Sequence, residues 1–307
     1  MPIATKLETV CVGRHLIDMP VGFAPVMPLA AIFKSGDRDD DASPLNLNIL
    51  GDGTTIDSFE ATVQKRRGEI VAFSDDSTDI LKEVITKGRS ATLFRIMQVK
   101  ESYMSELHLL NGDLHLTAKM ESYYGRFNEA ETTLFSFANK ISLANEKPDR
   151  RIGFCLGPIA VLGLYKTESA RVTFRSDLQP DILISVDIDT YGWDDPITLF
   201  QRVSGPNSLL QKFDVRNNVL RKRELEVAGM HAQEWLGSVK LGENRDKKQF
   251  GFALETRRPN PGQTAPRLHI ELDTGQNDRN GTKHQNSMTD EQAIVLWDSI
   301  ISSIRAR

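Results

Sequence analysis

The chain has 307 residues, of which 39% are hydrophobic and 26% charged, and these proportions are typical of a packed globular protein. Its formal net charge of −4 gives no general attraction to nucleic acid or to an anionic membrane. No apolar run approaches the roughly 18 residues of a membrane-spanning helix, and the first ten residues lack the apolar segment of a secretory signal. We therefore expect neither nucleic-acid binding nor membrane insertion.

The two cysteines each begin a Cys-X-Gly step, Cys11 near the start of the chain and Cys155 near its middle. They can be small buried apolar residues, the ends of a long-range disulfide, or nucleophiles. Cysteine is among the most buried residue types and one pair is not a disulfide framework, so burial is the favoured interpretation. Gly13 and Gly157 permit unusual backbone dihedrals. We interpret each step as the mark of the first core strand of a repeated domain.

The first half of the chain mixes helical and strand patterns. Helices are predicted over residues 55–68 and 77–88, with strands over residues 69–74 and 91–102. Residues 127–142 have apolar side chains at helical spacing and predict a helix that closes this half.

A hairpin is predicted around Asn111-Gly112, which is a strong signal for a two-residue turn. The predicted register pairs Leu109 with Leu114 towards the core and sets His108 beside His115 on a face open to water. The two imidazoles offer two metal positions, but no third ligand is apparent, so we predict no metal site.

The second half also ends with a strand and then a helix. Thr289 and Gln292 form a capping box before the final apolar stripe. Earlier strands are predicted over residues 170–177, 181–192, 221–240 and 249–258, with a helix over 194–205 and a closing strand over 267–275.

Both halves thus begin with Cys-X-Gly and end with strand and helix, and "LHLTAKMES" resembles "LHIELDTG". We predict an α+β protein of two similar domains, each a mainly antiparallel sheet covered by helices. The predicted domains are residues 1–147 and 148–307, joined by a polar linker over residues 144–151.

The search for catalytic motifs is negative. The sequence has no Gly-X-Ser-X-Gly elbow, phosphate loop, dinucleotide fingerprint or His-Glu-X-X-His motif. We therefore predict no catalytic residue and no cofactor, and favour a binding role. Two alternatives stay open: an enzyme that uses Asp187 and Asp189 or His231, and a two-domain scaffold or carbohydrate-binding protein.

Several segments together resemble one family: "CVGRHLIDMP", "GFCLGPIAV", "VAGMHAQEWL", "FGFALET" and "LWDSIISSIRAR". In order and spacing they are similar to the type VI secretion immunity proteins that neutralise a lipase effector. The resemblance implies two α/β domains arranged as a two-armed claw, which grip a cognate phospholipase by occlusion or by locking its lid region. It also implies a periplasmic location, although this sequence departs from that pattern in having no leader.

Three surface segments are predicted to contact the effector, because aromatic and charged side chains often anchor interfaces. They are an acidic loop with Asp37, Asp39, Asp40 and Asp41, an aromatic turn with Tyr191 and Trp193, and the loop over residues 275–286 with Arg279.

Overall fold

A computed structural model describes residues 6–34, 43–73, 79–143, 153–191, 197–204, 217–241, 247–257, 261–278 and 280–307. The chain forms two compact units, which we name by their place in the sequence. The terminal unit combines Met1–Val26 with Ser169–Arg307, and the central unit is Met27–Glu168. The predicted domain boundary at residues 147 and 148 stays a prediction, and the predicted linker, residues 144–151, lies outside the described residues.

The strands are, in chain order, β1 (Leu7–Gly13), β2 (His15–Pro20), β3 (Ala24–Pro25), β4 (Leu29–Lys34), β5 (Leu45–Gly51), β6 (Ile80–Lys87), β7 (Ala91–Val99), β8 (Ser102–Asn111), β9 (Leu114–Tyr123), β10 (Ile141–Leu143), β11 (Gly153–Leu156), β12 (Ile159–Leu162), β13 (Thr167–Arg175), β14 (Leu183–Asp189), β15 (Asn217–Val227), β16 (Met230–Leu241), β17 (Lys247–Thr256), β18 (Arg267–Asp273) and β19 (Arg305–Ala306). The helices are α1 (Ile56–Phe73), α2 (Phe127–Ala138), α3 (Leu199–Ser204) and α4 (Asp290–Ser303). Across the described part of the chain, no helix is both long and apolar enough to cross a membrane.

The central unit is built on an antiparallel sheet with the strand order β4-β5-β9-β8-β7-β6. Helix α1 covers one face, where Phe59 and Val63 pack with Phe94 of β7. Helix α2 covers the other face, where Glu131 accepts a hydrogen bond from Arg95. Neighbouring residues on a strand point to opposite faces, so this sheet is enclosed by a helix on each side. A smaller sheet of β10, β12 and β11 belongs to the same unit.

The terminal unit repeats the same chain path. Its main antiparallel sheet has the order β13-β14-β18-β17-β16-β15. In both units two paired strands lead through a helical crossover to the far edge, and a four-stranded meander returns to the second strand. A closing helix follows, α2 in one unit and α4 in the other. This common path agrees with the likeness of the two halves noted in the sequence, and the predicted α+β class with mainly antiparallel sheets is confirmed.

The closing helix of the terminal unit begins at the predicted cap. The Thr289 hydroxyl accepts from the Gln292 N–H, and the Gln292 side chain accepts from the Thr289 N–H, so the capping box is confirmed. Trp297 is fully buried on this helix and packs edge-on against Phe252 of β17. Elsewhere in this unit β2 pairs with both β1 and β19.

Two element predictions in the first half are wrong. The helix predicted over residues 77–88 is wrong in its described part, because β6 runs over Ile80–Lys87, where β-branched residues favour an extended chain. The strand predicted over residues 69–74 is wrong in its described part, because α1 continues to Phe73 and buries Ile70 on the stripe begun by Phe59 and Val63.

The predicted hairpin register is also wrong. Asn111 pairs with Leu114, so the turn is Gly112-Asp113, one residue later than expected. His108 and His115 are buried rather than open to water, at 3% and 4% exposure. The His108 Nδ1 lies 3.1 Å from the His115 Nε2, and its Nε2 lies 2.9 Å from Glu106. The histidines thus form part of a polar cluster beneath α1.

The cysteines differ from the favoured interpretation as well. Both Cys11 and Cys155 are disulfide-bonded, and the described residues contain no free cysteine. Each Cys-X-Gly step ends a strand, and its glycine begins the turn into the next strand with a positive φ, 59° at Gly13 and 56° at Gly157. The step therefore marks a strand end and hairpin turn in both halves.

Candidate functional site

The two faces of the main sheet in the terminal unit differ in polarity. Side chains alternate between the faces along each strand, and one face holds buried apolar residues such as Val172 and Val186. On the other face, Arg171, Asp187 and His269 lie in register across β13, β14 and β18. Charged side chains therefore line this second face.

A cavity of about 570 Å³ opens on the charged face. We name it the charged groove and define it by its ionisable lining residues, Arg171, Asp187, Asp189, Arg202, Arg267, His269 and Glu271. Strands β13, β14 and β18 supply all of these except Arg202, which lies on α3. Reciprocal hydrogen bonds between Thr198 and Gln201, at 2.8 and 3.1 Å, cap α3 and hold its first turn.

Two guanidinium groups of the groove bind a carboxylate on the adjacent strand β17. Glu255 pairs with Arg202 and accepts a hydrogen bond from the Arg267 Nη2 at 2.6 Å. The Glu255 side chain is 8% exposed. Buried carboxylates need such partners because desolvation disfavours an unpaired charge.

Arg171 lies farther from the groove carboxylates Asp187 and Glu271. Its guanidinium lies 3.7 Å from Asp187 and 3.4 Å from Glu271, beyond the usual range of a charge-assisted hydrogen bond. His269 Nε2 lies 3.0 Å from Glu271 and supplies a closer contact. The Asp189 Oδ1 accepts from the Tyr191 N–H at 2.7 Å.

These environments separate the pKa values of the groove carboxyls. Burial raises the pKa of Asp187, and attraction to Arg171 offsets only part of that effect. Burial likewise raises the pKa of Asp189 against the opposing hydrogen bond from Tyr191. The hydrogen bond from His269 instead lowers the pKa of Glu271. Carboxylates with raised pKa values inside a cavity are common at functional sites.

One predicted contact residue lies beside this groove, next to its lining residue Asp189. Tyr191 is 47% exposed and adjoins Asp189 through its backbone. Trp193 and Arg279 lie outside the described residues, as do the four aspartates of the predicted acidic loop, Asp37, Asp39, Asp40 and Asp41. Sequence analysis missed Arg171, Arg202, Arg267, His269 and Glu271 as groove residues, although the strict alternation of "RLHIELD" signals a strand with one charged face.

The described part of the predicted loop over residues 275–286 forms an organised turn. Asp278 accepts hydrogen bonds from the backbone of Asn280 and Thr282 at 2.9 and 2.8 Å, and lies 3.1 Å from the His284 ring. A second cavity, of about 750 Å³, is lined by Lys283 and His284 of this loop together with residues of β17 and α4. The loop therefore borders a pocket of its own.

The residues of the enzymatic alternative do not form one constellation. His231 lies at the β15–β16 turn, paired in register with Glu226, and does not line the charged groove that contains Asp187 and Asp189. Within the described ranges, no group of three or more His, Cys, Asp or Glu side chains could hold a metal ion.

Comparisons with known proteins place the chain in a family. Residues 148–307 match the family model of the Tle cognate immunity protein 4 C-terminal domain. No curated protein matches the chain.

Three solved structures share its fold. The apo immunity protein TplEi of the T6SS from Pseudomonas aeruginosa matches with a TM-score of 0.72 and 19% identity, over 99% of this chain and 98% of that one. TplEi complexed with "L" peptide matches with a TM-score of 0.69 and 19% identity, over 99% of both chains. A chain of the Tle4-Tli4 complex matches with a TM-score of 0.72 and 20% identity, over 99% of this chain and 98% of that one. Since the family model covers more than half of the sequence, the protein belongs to the Tle cognate immunity protein 4 family.

Proposed function

We propose that this immunity protein binds a cognate type VI secretion lipase effector and blocks its activity without turning over a substrate. Family membership is the observation that carries the proposal. A protein of the same fold has been crystallised as part of the Tle4-Tli4 complex, and its chain aligns with 99% of this one. An inhibitor of this kind needs a contact surface and no catalytic constellation.

The charged groove is the proposed contact surface in the terminal unit, with Tyr191 at its rim. Charged and aromatic residues favour such a role because charge complementarity steers association and tyrosine anchors interfaces. Trp193, Arg279 and the loop containing Asp37, Asp39, Asp40 and Asp41 remain proposed additional contacts.

Inhibition is proposed to need contacts from both units, through occlusion of the lipase or locking of its lid region. When two surfaces of one protein bind one partner, the second contact becomes intramolecular and gains effective concentration. Loss of either contact should then weaken inhibition much more than a single isolated contact would suggest.

A periplasmic location is also proposed. The disulfide-bonded state of Cys11 and Cys155 supports an oxidising compartment, where such bonds persist. Cell fractionation combined with thiol alkylation tests this: the protein should appear in the periplasmic fraction with both cysteines protected. Recovery in the cytoplasm with alkylated cysteines would contradict it.

Co-purification with the lipase encoded beside its gene tests the proposed function directly. A tagged copy of the immunity protein should retain that lipase as a stable complex through size-exclusion chromatography. An unrelated lipase with a Gly-X-Ser-X-Gly elbow serves as the control and should elute alone. Separate elution of the cognate pair would refute the proposal for that partner.

A further inference from the structure

Asp187 and Asp189 form a pair on the face of the charged groove. They lie two residues apart on β14, so both side chains point to the same face, about 7 Å apart along the strand. Asp187 stands between Arg171 and His269 in register, and Asp189 between Ser169 and Arg267. A guanidinium or ammonium group entering the cavity between these rows could reach both carboxylates.

The chain's own cations leave this pair weakly neutralised. Arg202 and Arg267 are held by Glu255 at hydrogen-bonding distance. Arg171 is 58% exposed and divided between Asp187 and Glu271. An external cation therefore competes with one long, shared ion pair at Asp187 and with the more distant charges of His269 and Arg267, of which Arg267 is held by Glu255.

Both carboxyls are less favourable in their ionised form in the folded protein than in the unfolded chain. Burial raises the pKa of each, which means that the folded protein disfavours the ionised form that prevails at neutral pH. Asparagine has the same shape without the charge, so an asparagine pair would be better suited to the isolated protein. The presence of two aspartates is explained if a partner supplies the missing positive charge.

We propose that the charged groove receives a basic segment of the lipase effector, with an arginine or lysine side chain set between Asp187 and Asp189. The inference rests on the proposed function and specifies the chemistry of the partner at that site. Charge complementarity selects this occupant over an acidic segment, because Glu255 already engages the groove's other two arginines. The contact also predicts that association slows and weakens as salt screens the charges.

The central experiment measures the affinity of the cognate lipase for the intact protein and for the double variant Asp187→Asn with Asp189→Asn. The double variant should bind about 30-fold more weakly or worse, with a smaller loss between 50 and 300 mM salt than the unaltered protein shows. Its melting temperature should stay the same or rise, because it removes disfavoured charges. If the double variant does not fold, Asp189→Asn alone provides the same comparison.

A matched control lies on the edge strand β15. Glu224 and Glu226 have the same spacing, are 54% and 69% exposed and do not line the groove. Changing both to glutamine should leave the affinity within about twofold, as expected for exposed charges outside the contact.

Arg171→Gln gives a test of opposite sign. Removing the cation that competes for Asp187 should strengthen lipase binding by about two- to fivefold, as expected for a weak exposed ion pair. Unchanged affinity of the aspartate double variant, or weaker binding by Arg171→Gln alone, would overturn the inference and indicate an acidic segment or a different surface. A lipase that fails to bind the unaltered protein would instead refute the proposed function.

Discussion

The central and terminal units follow the same chain path but differ in how a helix covers one face of the main sheet. In the central unit, the crossover helix α1 has 18 residues and covers that face with apolar side chains around Phe94. In the terminal unit, the described crossover helix α3 has six residues, and the equivalent face carries the charged groove. Where a helix covers the face, the carboxylate of Glu106 is buried and closely paired with Arg66 and Lys119. Where the groove lies open, charges alternate in register and remain accessible.

The register also identifies equivalent positions with opposite charges. Arg95 on the second meander strand of the central unit faces Glu83 on the first, and the corresponding pair in the terminal unit is Glu234 and Arg223. The residue on the second meander strand also contacts the closing helix of its own unit. Arg95 donates to Glu131 of α2, and Glu234 accepts from the Trp297 indole of α4 at 2.9 Å. Both units thus carry a charge at this position, with opposite signs; Glu234 is fully buried and the Arg95 side chain is 14% exposed.

Other charged positions agree between the units. On the neighbouring strand β8, Glu106 accepts two hydrogen bonds from Arg66 of α1, at 3.0 and 2.9 Å. Glu255, at the equivalent place on β17, binds Arg202 of α3. Both units therefore use a buried carboxylate to bind an arginine of the crossover helix, and at this position the sign of the charge is the same.

The largest expected effect comes from breaking the reversed pair. Arg95→Glu sets three carboxylates together, because Arg95 lies 2.7 Å from Glu83 and 2.6 Å from Glu131. We expect a loss of about 4 kcal/mol or more in the free energy of unfolding, measured by urea denaturation. Adding Glu83→Arg and Glu131→Arg restores opposite charges around residue 95 and should recover most of the loss. A stable Arg95→Glu single variant would contradict the account.

Acid should destabilise the central unit through His115. Burial lowers the pKa of His115 to about 4, so the folded state holds it neutral while the unfolded chain takes up a proton. Stability should fall by up to about 3 kcal/mol as the pH drops from 6.5 to 4. Its neighbours in the cluster are His108 and Glu106, with Arg66 and Lys119 bound to the carboxylate.

The variant His115→Gln isolates this contribution because glutamine does not titrate in that range. Unfolding curves at pH 7 and pH 4.5 should show a smaller acid-induced loss than in the unaltered protein. An identical loss in both proteins would assign the acid sensitivity elsewhere.

The terminal unit should respond to acid in the opposite direction through Asp273. Burial and the nearby Glu271 raise the pKa of Asp273 to about 6, so ionisation of this carboxyl opposes folding. Asp273→Asn should therefore stabilise the protein at pH 7.5 by about 1.5 kcal/mol after solvent screening is allowed for. The gain should disappear between pH 6 and pH 4, where the aspartate is protonated in the folded state. A gain that is constant over this range would rule out ionisation as its cause.

The smallest expected effect contrasts the closing helices. Helix α4 has a side-chain capping box, whereas α2 begins after Arg126 with no side-chain cap. Thr289→Ala should lower the free energy of unfolding by about 1 kcal/mol. Asn128→Ala in α2 is the control and should change it by less than about 0.5 kcal/mol. No loss in Thr289→Ala would mean that the capping box does not stabilise α4, and an equal loss in the control would mean that the effect is not specific to the cap.

The sequence predicted features whose signals are local. The capping box at Thr289, the antiparallel meanders and the likeness of the two halves all follow from short patterns. Residues 77–88 were mistaken for a helix because apolar residues such as Ile80 and Val84 are also spaced four apart, and short segments of this kind suit either structure. The hairpin turn lies one residue later than predicted, but His108 and His115 still share one face of the sheet. They are buried because α1 covers that face, with Phe59 packed against His115, and no local pattern in the hairpin indicates that covering.

The charged groove could not be predicted in the same way. Its residues come from three strands and a helix that span residues 171 to 271, and only the order of the strands brings them onto one face. Alternation identifies each strand's charged side but not its neighbours in the sheet. Tyr191 was predicted from its chemistry, whereas Arg171 and His269 have meaning only through their register with Asp187.

The most direct test of the central claim is a titration of phospholipase turnover by the cognate lipase with increasing amounts of this immunity protein. The account predicts that turnover falls in proportion to the protein added and is abolished near one equivalent, with no product formed by the immunity protein alone. Full lipase turnover in the presence of a large excess of the immunity protein would contradict it.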